Sequence, residues 1–402
     1  MAWRVEILHR RASNARHVID FTRDCATAAS AAHARLENPK GTMVGFHIDW
    51  SQDTPDALKS RIGAYPAVVN TFITFDAGAA WPWDRDMLVW QAQLAGEAGA
   101  VLEITVMPVD LGRITAQMYA DFAATLRTLN EQYHTPVLLR WAHEMNGNWL
   151  SYSYKPAQYI ASFQQMATAV HAATNATAMV WSPNMGLGYP FGDDATTIPR
   201  PTRASDPTNF ALLDTNGDGV ISNGDDPYLP FYPGDDYVDW VGLSLYWYPA
   251  PAGVLSETPN QVTPPNFVAD YIRGSGGNVN PSLNASVITF YDRFVEGRGK
   301  PMMLAESGAP FLVTQGGASE LDVKKSWWEQ TWNTALMKEF PRLRAIINFD
   351  ERKEEGGLLK DWAQTTNSAV LKAYKSYMGG KSKLTTYGND MSFACDGRVT
   401  ML

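Results

Sequence analysis

Short runs of apolar residues alternate along the chain with longer stretches in which apolar residues recur at helical spacing. The run Val101–Val106 is typical of the short kind, because a strand that is buried on both faces is apolar almost without interruption. Eight such runs predict eight strands: Met43–His47, Ala67–Phe75, Val101–Met107, Pro136–Ala142, Ala178–Pro183, Val238–Tyr246, Pro301–Glu306 and Ala345–Phe349.

The stretches between these strands carry the spacing of amphipathic helices. In one of them apolar residues recur after Thr115, which is placed as a helix cap, and Pro156 suits the first turn of another helix. An Ala-rich segment from Asn14 to Leu36 also predicts a helix. Late in the chain, four apolar residues that repeat at every fourth position predict one more: Trp328, Trp332, Leu336 and Phe340.

Strands that alternate with helices in this way predict a (β/α)8 barrel, the TIM barrel. A doubly wound open sheet is the alternative, but it requires a glycine-rich phosphate turn after its first strand, and none follows His47. We assign residues 41–376 to one barrel domain, 1–40 to a helical N-terminal extension and 377–402 to a C-terminal extension. Two long connections, 185–235 and 247–300, are expected on the face where such barrels carry their sites.

The composition excludes several classes of protein. The 402 residues carry 33 basic and 42 acidic side chains, a net charge of −9, which argues against nucleic acid or an anionic membrane as the partner. No apolar run reaches the length of about 18 residues that a transmembrane helix needs. Two cysteines, Cys25 and Cys395, are too few for a disulfide-dense scaffold or a multi-cysteine zinc site, and the sequence leaves open whether they pair. The charged segment Met1–Arg11 does not have the pattern of a secretory signal peptide.

Two glutamates end strands whose carboxyl ends meet at one mouth of the predicted barrel. Glu144 ends the fourth strand and Glu306 ends the seventh. Two carboxylates that face each other across a sugar-sized gap are what glycoside hydrolysis requires, one as acid and the other as nucleophile or as base toward water. Ordinary ion-paired residues are the alternative, although a position at this mouth favours catalysis. Aromatic residues make up 12% of the chain, which suits a large core and also a groove that stacks on sugars.

The sequence around these glutamates resembles glycoside hydrolase family 26. Arg140–Trp149, with its Arg, its His-Glu-Met-Asn-Gly and its Trp, is similar to the acid/base motif of that family. Ala305–Gly308 is similar to its nucleophile motif, and Tyr232–Gly242 to its segment leading into strand six. Two shorter matches also fit: Trp181–Asn184 and Asp361–Trp362. The resemblance implies a (β/α)8 retaining glycosidase that acts mostly on β-linked mannans, with β-1,3-xylan or mixed-linkage β-glucan as the substrate of other members.

The resemblance also implies roles for individual residues. Glu144 would be the general acid/base and Glu306 the nucleophile. His143, beside the acid, would shape its hydrogen bonding and pKa. Tyr246 would hydrogen-bond the nucleophile, and Arg140, on the fourth strand, is expected below the site, where it favours the charged carboxylate.

Aromatic residues near the glutamates are expected to contact the sugar. Trp149 would be a platform for a bound ring, with packing inside its loop as the alternative, and Trp181 is a second candidate. Strand eight departs from the family pattern, because Asn348–Asp350 stands where mannanases place a tryptophan against the sugar. This departure weakens the assignment to mannan but leaves the two-glutamate chemistry intact.

Two segments of the chain have spacings similar to metal-binding motifs. His143–Glu144 begins like a His-Glu-x-x-His zinc motif, but the fifth position is Gly147 and the second imidazole is missing, so zinc is excluded. Residues 214–225 follow the spacing of a calcium-binding EF-hand loop. Aspartate at position twelve predicts a looser, dockerin-like site. An ordinary acidic turn is the alternative. The expected calcium ligands are Asp214, Asn216, Asp218, Val220 and Asp225.

The sequence therefore predicts a retaining endo-β-glycanase, preferably acting on β-1,4-mannan, that requires no cofactor for its chemistry. The same mechanism on β-1,3-xylan or mixed-linkage β-glucan is the first alternative, and endo and exo action are not distinguished. A non-catalytic sugar-binding barrel is an alternative of another class, although it predicts a lost glutamate and both are present. We expect a monomer with a polysaccharide partner, without nucleic acid or membrane partners, and an extracellular location because polysaccharide lies outside the cell.

Overall fold

The computed structural model describes residues 34–192, 197–250, 252–274 and 290–402, and within them a parallel barrel. Its strands pair in chain order, and the last pairs with the first, for example Gly45 with Ile347, which closes the sheet. All eight predicted strands are confirmed, with ends that differ by a few residues. They are β1 Thr42–His47, β2 Val68–Phe75, β3 Val101–Pro108, β4 Val137–Trp141, β5 Thr177–Trp181, β6 Trp240–Tyr246, β7 Met302–Gly308 and β8 Leu343–Phe349.

Helices cover the outside of this barrel and begin where the sequence predicts. The Thr115 side chain accepts a hydrogen bond from the Met118 N–H and caps α3, and Pro156 is the first residue of α4. The helix predicted for residues 14–36 lies outside the described residues except for its last three, which are not helical. The α-helices of the described part are α1 Pro55–Ile62, α2 Arg85–Glu97, α3 Ala116–Gln132, α4 Pro156–Ala173, α5 Pro207–Leu213, α6 Phe267–Arg273, α7 Glu320–Thr331, α8 Thr334–Glu339 and α9 Ser368–Gly379.

The single helix predicted through Trp328 and Phe340 is wrong, because the chain forms two helices there. α7 ends at Thr331, and Asn333 starts α8 by accepting a hydrogen bond from the Leu336 N–H with its side chain. The apolar residues that suggested one helix are nevertheless all buried. A four-residue repeat therefore reports burial on one side of the chain and does not by itself show that the helix is continuous.

The barrel strands are buried on both faces, as their apolar composition predicts. Every residue of β1, β4, β5 and β7 is buried, because each strand lies between the barrel interior and the helical layer.

In the part of the chain that the structure describes, no helix has both the length and the apolar character needed to cross a membrane.

The segment after α9 packs against the amino ends of the barrel strands. Thr385–Thr386 pairs in parallel with β1, and the Gly388 N–H donates to the Tyr65 carbonyl just before β2. A hairpin follows, made of Met391–Phe393 and Val399–Met401. Cys395 in its turn is not a free thiol, and Cys25, the other cysteine of the sequence, lies outside the described residues.

The opposite face of the barrel is built from the loops that follow the strands. The connection from β5 to β6 contains α5, and the connection from β6 to β7 contains α6. Loops after β7 and β8 join in a small antiparallel sheet made of Phe311–Leu312, Arg352–Glu355 and Leu358–Asp361. These loops surround the mouth at which β4 and β7 end.

Candidate active site

The backbone at Glu144 is strained where the chain leaves β4 at the mouth of the barrel. β4 ends at Trp141, and Ala142 and Glu144 then adopt φ angles of 49° and 53°, in the left-handed region that residues other than glycine rarely occupy. Neighbouring strands hold this conformation, because the Ala142 N–H donates to the Val106 carbonyl at 3.0 Å and the Glu144 N–H to the Ser182 carbonyl at 2.9 Å. Such strain costs about 1–3 kcal/mol per residue and is typical of functional sites.

Each carboxylate oxygen of Glu144 accepts a hydrogen bond. Trp149 Nε1 donates to Oε2 at 2.9 Å, and Asn184 Nδ2 donates to Oε1 at 3.0 Å. Asn146 fixes Asn184, because its side chain accepts from the Asn184 N–H and donates to the Asn184 carbonyl, both at 2.8 Å. Trp149 needs a glycine at position 147, since a Cβ on Gly147 would lie 2.6 Å from the indole ring. The motif therefore holds the carboxyl group in one orientation.

Glu306 enters the same mouth from β7. The register between β6 and β7 shifts after Leu243, so that Ser244 pairs with Glu306, and such an irregularity redirects a side chain. Tyr246 Oη donates to Glu306 Oε2 at 2.9 Å, as the resemblance implied. Arg140 Nη1 donates to the other oxygen, Oε1. Both oxygens of Glu306 are thus held by donors that favour the ionised carboxylate.

Arg140 on β4 is fully buried and bonds to residues of β3, β6 and β7 and to Ser182, which follows β5. Its Nε donates to Ser182 Oγ at 2.9 Å and its Nη2 to Ser244 Oγ. Its Nη1 forms the ion pair with Glu306 and lies 3.5 Å from Thr105 Oγ1. A buried guanidinium is tolerated when a carboxylate and several acceptors satisfy it, which is the case here. Arg140 thus contacts Glu306 and favours its charged form, whereas its place below a bound sugar stays a prediction.

The two glutamates have opposite electrostatic environments. Burial alone raises the pKa of Glu306, but Arg140 and the hydrogen bond from Tyr246 outweigh it and lower this pKa from 4.5 to about 2. Burial raises the pKa of Glu144, and the negative charge of Glu306 raises it further. One carboxyl group is therefore held ionised and the other is biased toward its protonated form, a pattern that separates a nucleophile from an acid.

His143 is buried behind the glutamates. Burial and the Arg140 guanidinium lower the pKa of His143 to about 3, so its ring is neutral at ordinary pH. The ring packs edge-on against Phe72, with 5.6 Å between centroids, and Tyr152 Oη lies 3.4 Å from Nδ1. The hydrogen bonds that Glu144 accepts come from other residues, so an effect of His143 on the acid stays a prediction.

Trp181 does not contact the mouth, which corrects the expectation that it binds sugar. Its side chain is fully buried, and its Nε1 donates to the Phe231 carbonyl at 2.9 Å. It packs against Phe294, Tyr232 and Phe290, with ring centroids 4.9, 5.0 and 6.2 Å away. Successive side chains of β5 point alternately into the barrel and toward the helical layer. Trp181 is at a position that points toward the helical layer, away from the site. Trp149 differs, since it lies on a loop and is 43% exposed.

An aromatic cluster surrounds Tyr246, the residue that donates a hydrogen bond to Glu306. Trp362, from the loop after β8, has its ring centroid 4.7 Å from that of Tyr246, 5.5 Å from Tyr248 and 5.8 Å from Phe349. A Cβ on Gly308 would lie 3.2 Å from the Trp362 ring, so the end of β7 has little room beside it. The match at Trp362 was one part of the resemblance, but its position beside Tyr246 depends on how the loop folds.

Sequence reasoning missed one charged residue, Glu103 on β3. Its side chain is fully buried, and neither carboxyl oxygen has a hydrogen-bond partner among the described residues. Burial raises the pKa of Glu103 to about 8 although Arg140 opposes this, and Glu306 adds to the increase. A glutamate inside the otherwise apolar run Val101–Val106 was the available signal, because such a run is buried on both faces.

The expected calcium ligands share one loop in the β5–β6 connection, between α5 and the short turn Leu229–Phe231. Their hydrogen bonds stay within this loop or reach its flanks, and none joins them to the two glutamates. Among the described residues, no group of three or more His, Cys, Asp or Glu side chains lies together as a metal site would need. Three of the five expected donors are aspartates that do not lie together in this way, and calcium binding by the loop stays a prediction.

Sequence comparison finds distant relatives among glycan-degrading enzymes. A β-1,3-xylanase of a Vibrio species is 23% identical over 232 residues, which are 55% of this chain and 42% of the relative. Endoglucanase H of Acetivibrio thermocellus is 21% identical over 360 residues, which are 86% of this chain and 31% of the relative. The chain thus spans less than half the length of either relative. No protein-family model matches the sequence.

Structural comparison confirms the predicted resemblance to glycoside hydrolase family 26 at the level of the fold. A family 26 β-mannanase from Bacteroides ovatus has a TM-score of 0.54 at 15% identity, over 88% of this chain and 92% of the other. The catalytic domain of a family 26 endo-β-1,4-mannanase from Bacillus sp. JAMB-750 has a TM-score of 0.52 at 16% identity, over 86% and 87%. The chain is therefore a (β/α)8 barrel similar to those enzymes.

Proposed function

We propose that the protein is a retaining endo-β-glycanase that hydrolyses a β-linked polysaccharide by double displacement. The observation that carries the proposal is the pair of opposite environments at one barrel mouth. Glu306 is ionised beside Arg140 and Tyr246, whereas burial and a neighbouring negative charge favour the protonated form of Glu144. The resemblance to family 26 and the glycan-degrading relatives support the same assignment.

In the first step, the Glu306 carboxylate attacks the anomeric carbon as the bond to the leaving oxygen breaks. Glu144 gives its proton to that oxygen, so the leaving sugar departs as a neutral alcohol. In the second step, Glu144 takes a proton from water, whose oxygen attacks the same carbon and releases Glu306. Two displacements at one carbon restore the original anomeric configuration.

The charge on Glu306 couples the two steps. While Glu306 is ionised, its charge raises the pKa of Glu144, which suits an acid. Formation of the glycosyl ester removes that charge, so the pKa of Glu144 falls and the same residue is suited to act as a base. Trp149 and Asn184 hold the Glu144 oxygens throughout, so the carboxyl group keeps its position when its role changes.

We take β-1,4-mannan as the first substrate to test, because the similar solved structures include mannanases. β-1,3-Xylan is the second candidate, since curated relatives are named β-1,3-xylanases. Mixed-linkage β-glucan is the third. The net charge of −9 suits a neutral polymer. We further propose that the protein acts as an extracellular monomer, because polymeric substrates lie outside the cell.

The test is product analysis on mannan, glucomannan, β-1,3-xylan and lichenan, with the configuration of the released anomer followed by NMR. We expect internal cleavage with retention on one of these polymers. Glu306→Ala and Glu144→Ala should each lose several orders of magnitude in activity, with Glu97→Gln on the exposed face of α2 as a matched control. Retained activity in Glu306→Ala would refute the assigned nucleophile, and inversion at the anomeric carbon would refute double displacement.

Azide separates the two glutamates from each other. On a substrate with a good leaving group, azide should restore turnover to Glu144→Ala and yield a glycosyl azide of retained configuration, because Glu306 still forms the intermediate. A wild-type protein that binds the polymers without cleaving any of them would favour the non-catalytic barrel instead.

A further inference from the structure

One tryptophan near the barrel mouth has almost its whole side chain in solvent. Trp81 lies in the loop between β2 and α2 and is 84% exposed, more than any other large apolar residue of the described part of the chain. Tryptophan is on average one of the more buried residues, because its ring carries a large apolar area. A single exposed apolar residue is ordinary, so the surroundings of Trp81 decide what its exposure means.

The backbone on both sides of Trp81 is fixed. The Asp76 N–H donates to the Pro82 carbonyl at 2.8 Å, which closes the loop, and the ring of Pro82 restricts the chain directly after Trp81. Trp83 then stacks on Phe75, the last residue of β2, with 5.2 Å between ring centroids. The Trp81 indole is therefore presented on a rigid backbone, and a ligand that binds it has to order only the torsions of one side chain.

Further apolar side chains are exposed at the same edge of the barrel. Met87 and Trp90, three residues apart on one face of α2, are 45% and 38% exposed. Trp50, from the loop after β1, packs edge-on against Trp90 with 5.8 Å between centroids, and its Nε1 donates to the Asn70 carbonyl of β2 at 2.8 Å. We call this set, Trp50, Trp81, Met87 and Trp90, the tryptophan rim.

The inward face of β2 leads from the tryptophan rim to the glutamates. Asn70, Phe72 and Thr74 share this face, because side chains alternate along a strand. Asn70 is fully buried, Phe72 is half-buried and Thr74 is exposed, so the face opens toward the rim. Phe72 packs against His143, the neighbour of Glu144 in the chain. The loop with the exposed tryptophan begins two residues after Thr74, and the rim is thus continuous with the mouth of the candidate site.

The charges beside the tryptophan rim select the kind of ligand. Residues 76–90 carry three aspartates and one arginine. This excess of negative charge repels an anionic polymer or an anionic membrane surface. A β-linked polysaccharide is neutral, its pyranose rings have apolar faces that match the flat face of an indole, and its hydroxyl groups can donate to carboxylates.

We propose that the tryptophan rim, with Trp81 at its centre, is an outer binding surface for the β-linked polysaccharide, on which the chain lies beyond the sugars at Glu144 and Glu306. The proposal rests on the proposed function, because it is the polymer cut at the glutamates that reaches the rim. A long chain contacts both places at once, whereas a short substrate contacts only the glutamates. The rim therefore favours long chains over short ones.

The experiment is affinity electrophoresis in gels that contain mannan, glucomannan, β-1,3-xylan or lichenan. It uses Glu306→Ala protein, which leaves the polymers uncut. In this background we expect Trp81→Ala to weaken binding to the retarding polymer by roughly 3-fold to 10-fold, the range for one lost aromatic contact. Because Trp81 is exposed, its loss leaves the packing intact, and Trp81→Phe, which keeps an aromatic face, should restore part of the retention. Leu402→Ala, at an exposed apolar residue beneath the opposite face of the barrel, is the control and should be retained like the background protein.

Kinetics provide the second readout if the protein is active. In Trp81→Ala, kcat/KM should fall more on the polymer than on an aryl glycoside of one sugar, and mainly through KM, because the lost contact binds ground state and transition state alike. Equal losses on the two substrates would overturn the proposal, since they would place the effect of Trp81 at the glutamates.

The gels contain three further outcomes that would overturn the proposal. These are a background protein that no polymer retards, equal retention of Trp81→Ala and its background, and a dimer in sedimentation that Trp81→Ala dissociates without any loss of retention. The last would assign the rim to contact between two copies of the chain. Retention needs no turnover, so a protein without glycanase activity can still show the binding surface, and an active enzyme whose retention ignores Trp81 keeps its two glutamates.

Discussion

Replacing Glu103 with glutamine tests whether folding keeps a carboxyl group protonated inside the barrel. Glu103 is fully buried, its oxygens lack hydrogen-bond partners among the described residues, and burial is the main cause that raises its pKa to about 8. Glutamine has the shape of the protonated glutamate but stays neutral at every pH. The two proteins should therefore differ in how their stability depends on pH, and little in packing.

The magnitude follows from the pKa in the two states. The unfolded chain releases the Glu103 proton above about pH 4.5, whereas the folded protein keeps it until about pH 8. Between these values the folded state binds more protons than the unfolded state, so the free energy of unfolding falls by about 1.4 kcal/mol per pH unit. At pH 7 this single group has lowered the stability by about 3 kcal/mol relative to pH 4.5, and above pH 8 the loss is complete.

Urea unfolding of the wild type and Glu103→Gln at pH 4.5, 6, 7 and 8 measures this effect. We expect the stability of the glutamine variant, relative to the wild type, to rise by about 3 kcal/mol between pH 4.5 and pH 7. Glu97→Gln removes one carboxyl group from the exposed surface and serves as the control. Wild-type and Glu103→Gln curves that stay parallel over this pH range would refute the reasoning, since they would show that Glu103 ionises equally in both states.

Three further predictions concern the glutamates. Tyr246→Phe removes a hydrogen bond to the ionised carboxylate of Glu306, which is worth about 1.5–3 kcal/mol. We therefore expect kcat/KM to fall by roughly 10-fold to 150-fold and the acid limb of the pH profile to move to higher pH. An unchanged acid limb would contradict the role of this hydroxyl group. Asn184→Ala should slow substrates with poor leaving groups more than activated aryl glycosides, because only the former need the positioned acid Glu144, and equal losses on both would count against it. The wild type should show a bell-shaped dependence of kcat/KM on pH. Glu306, whose pKa is about 2, governs the acid limb, and Glu144, whose pKa is raised, governs the basic limb. A flat profile from pH 4 to 9 would exclude the two-carboxylate mechanism.

The sequence alone determined the barrel and the two glutamates. The strand runs are local patterns, because burial on both faces leaves a mark in each short segment whatever its partners are. Glu144 and Glu306 were recognised from their motifs and from the rule that parallel strands end at one face of a barrel. The caps at Thr115 and Pro156 were equally local, since a helix start depends on the residues of its own first turn.

Only the tertiary structure decided the environments of these residues. Arg140 and Glu306 are 166 residues apart in the chain, and their contact, which lowers the pKa of Glu306, depends on how strands across the barrel face each other. The burial of Trp181, the position of Trp362 beside Tyr246 and the burial of Glu103 likewise depend on neighbours that are distant in sequence. Periodicity tells which side of an element is buried, but pKa and exposure depend on the distances and charges of all surrounding groups, which exist only once the chain has folded.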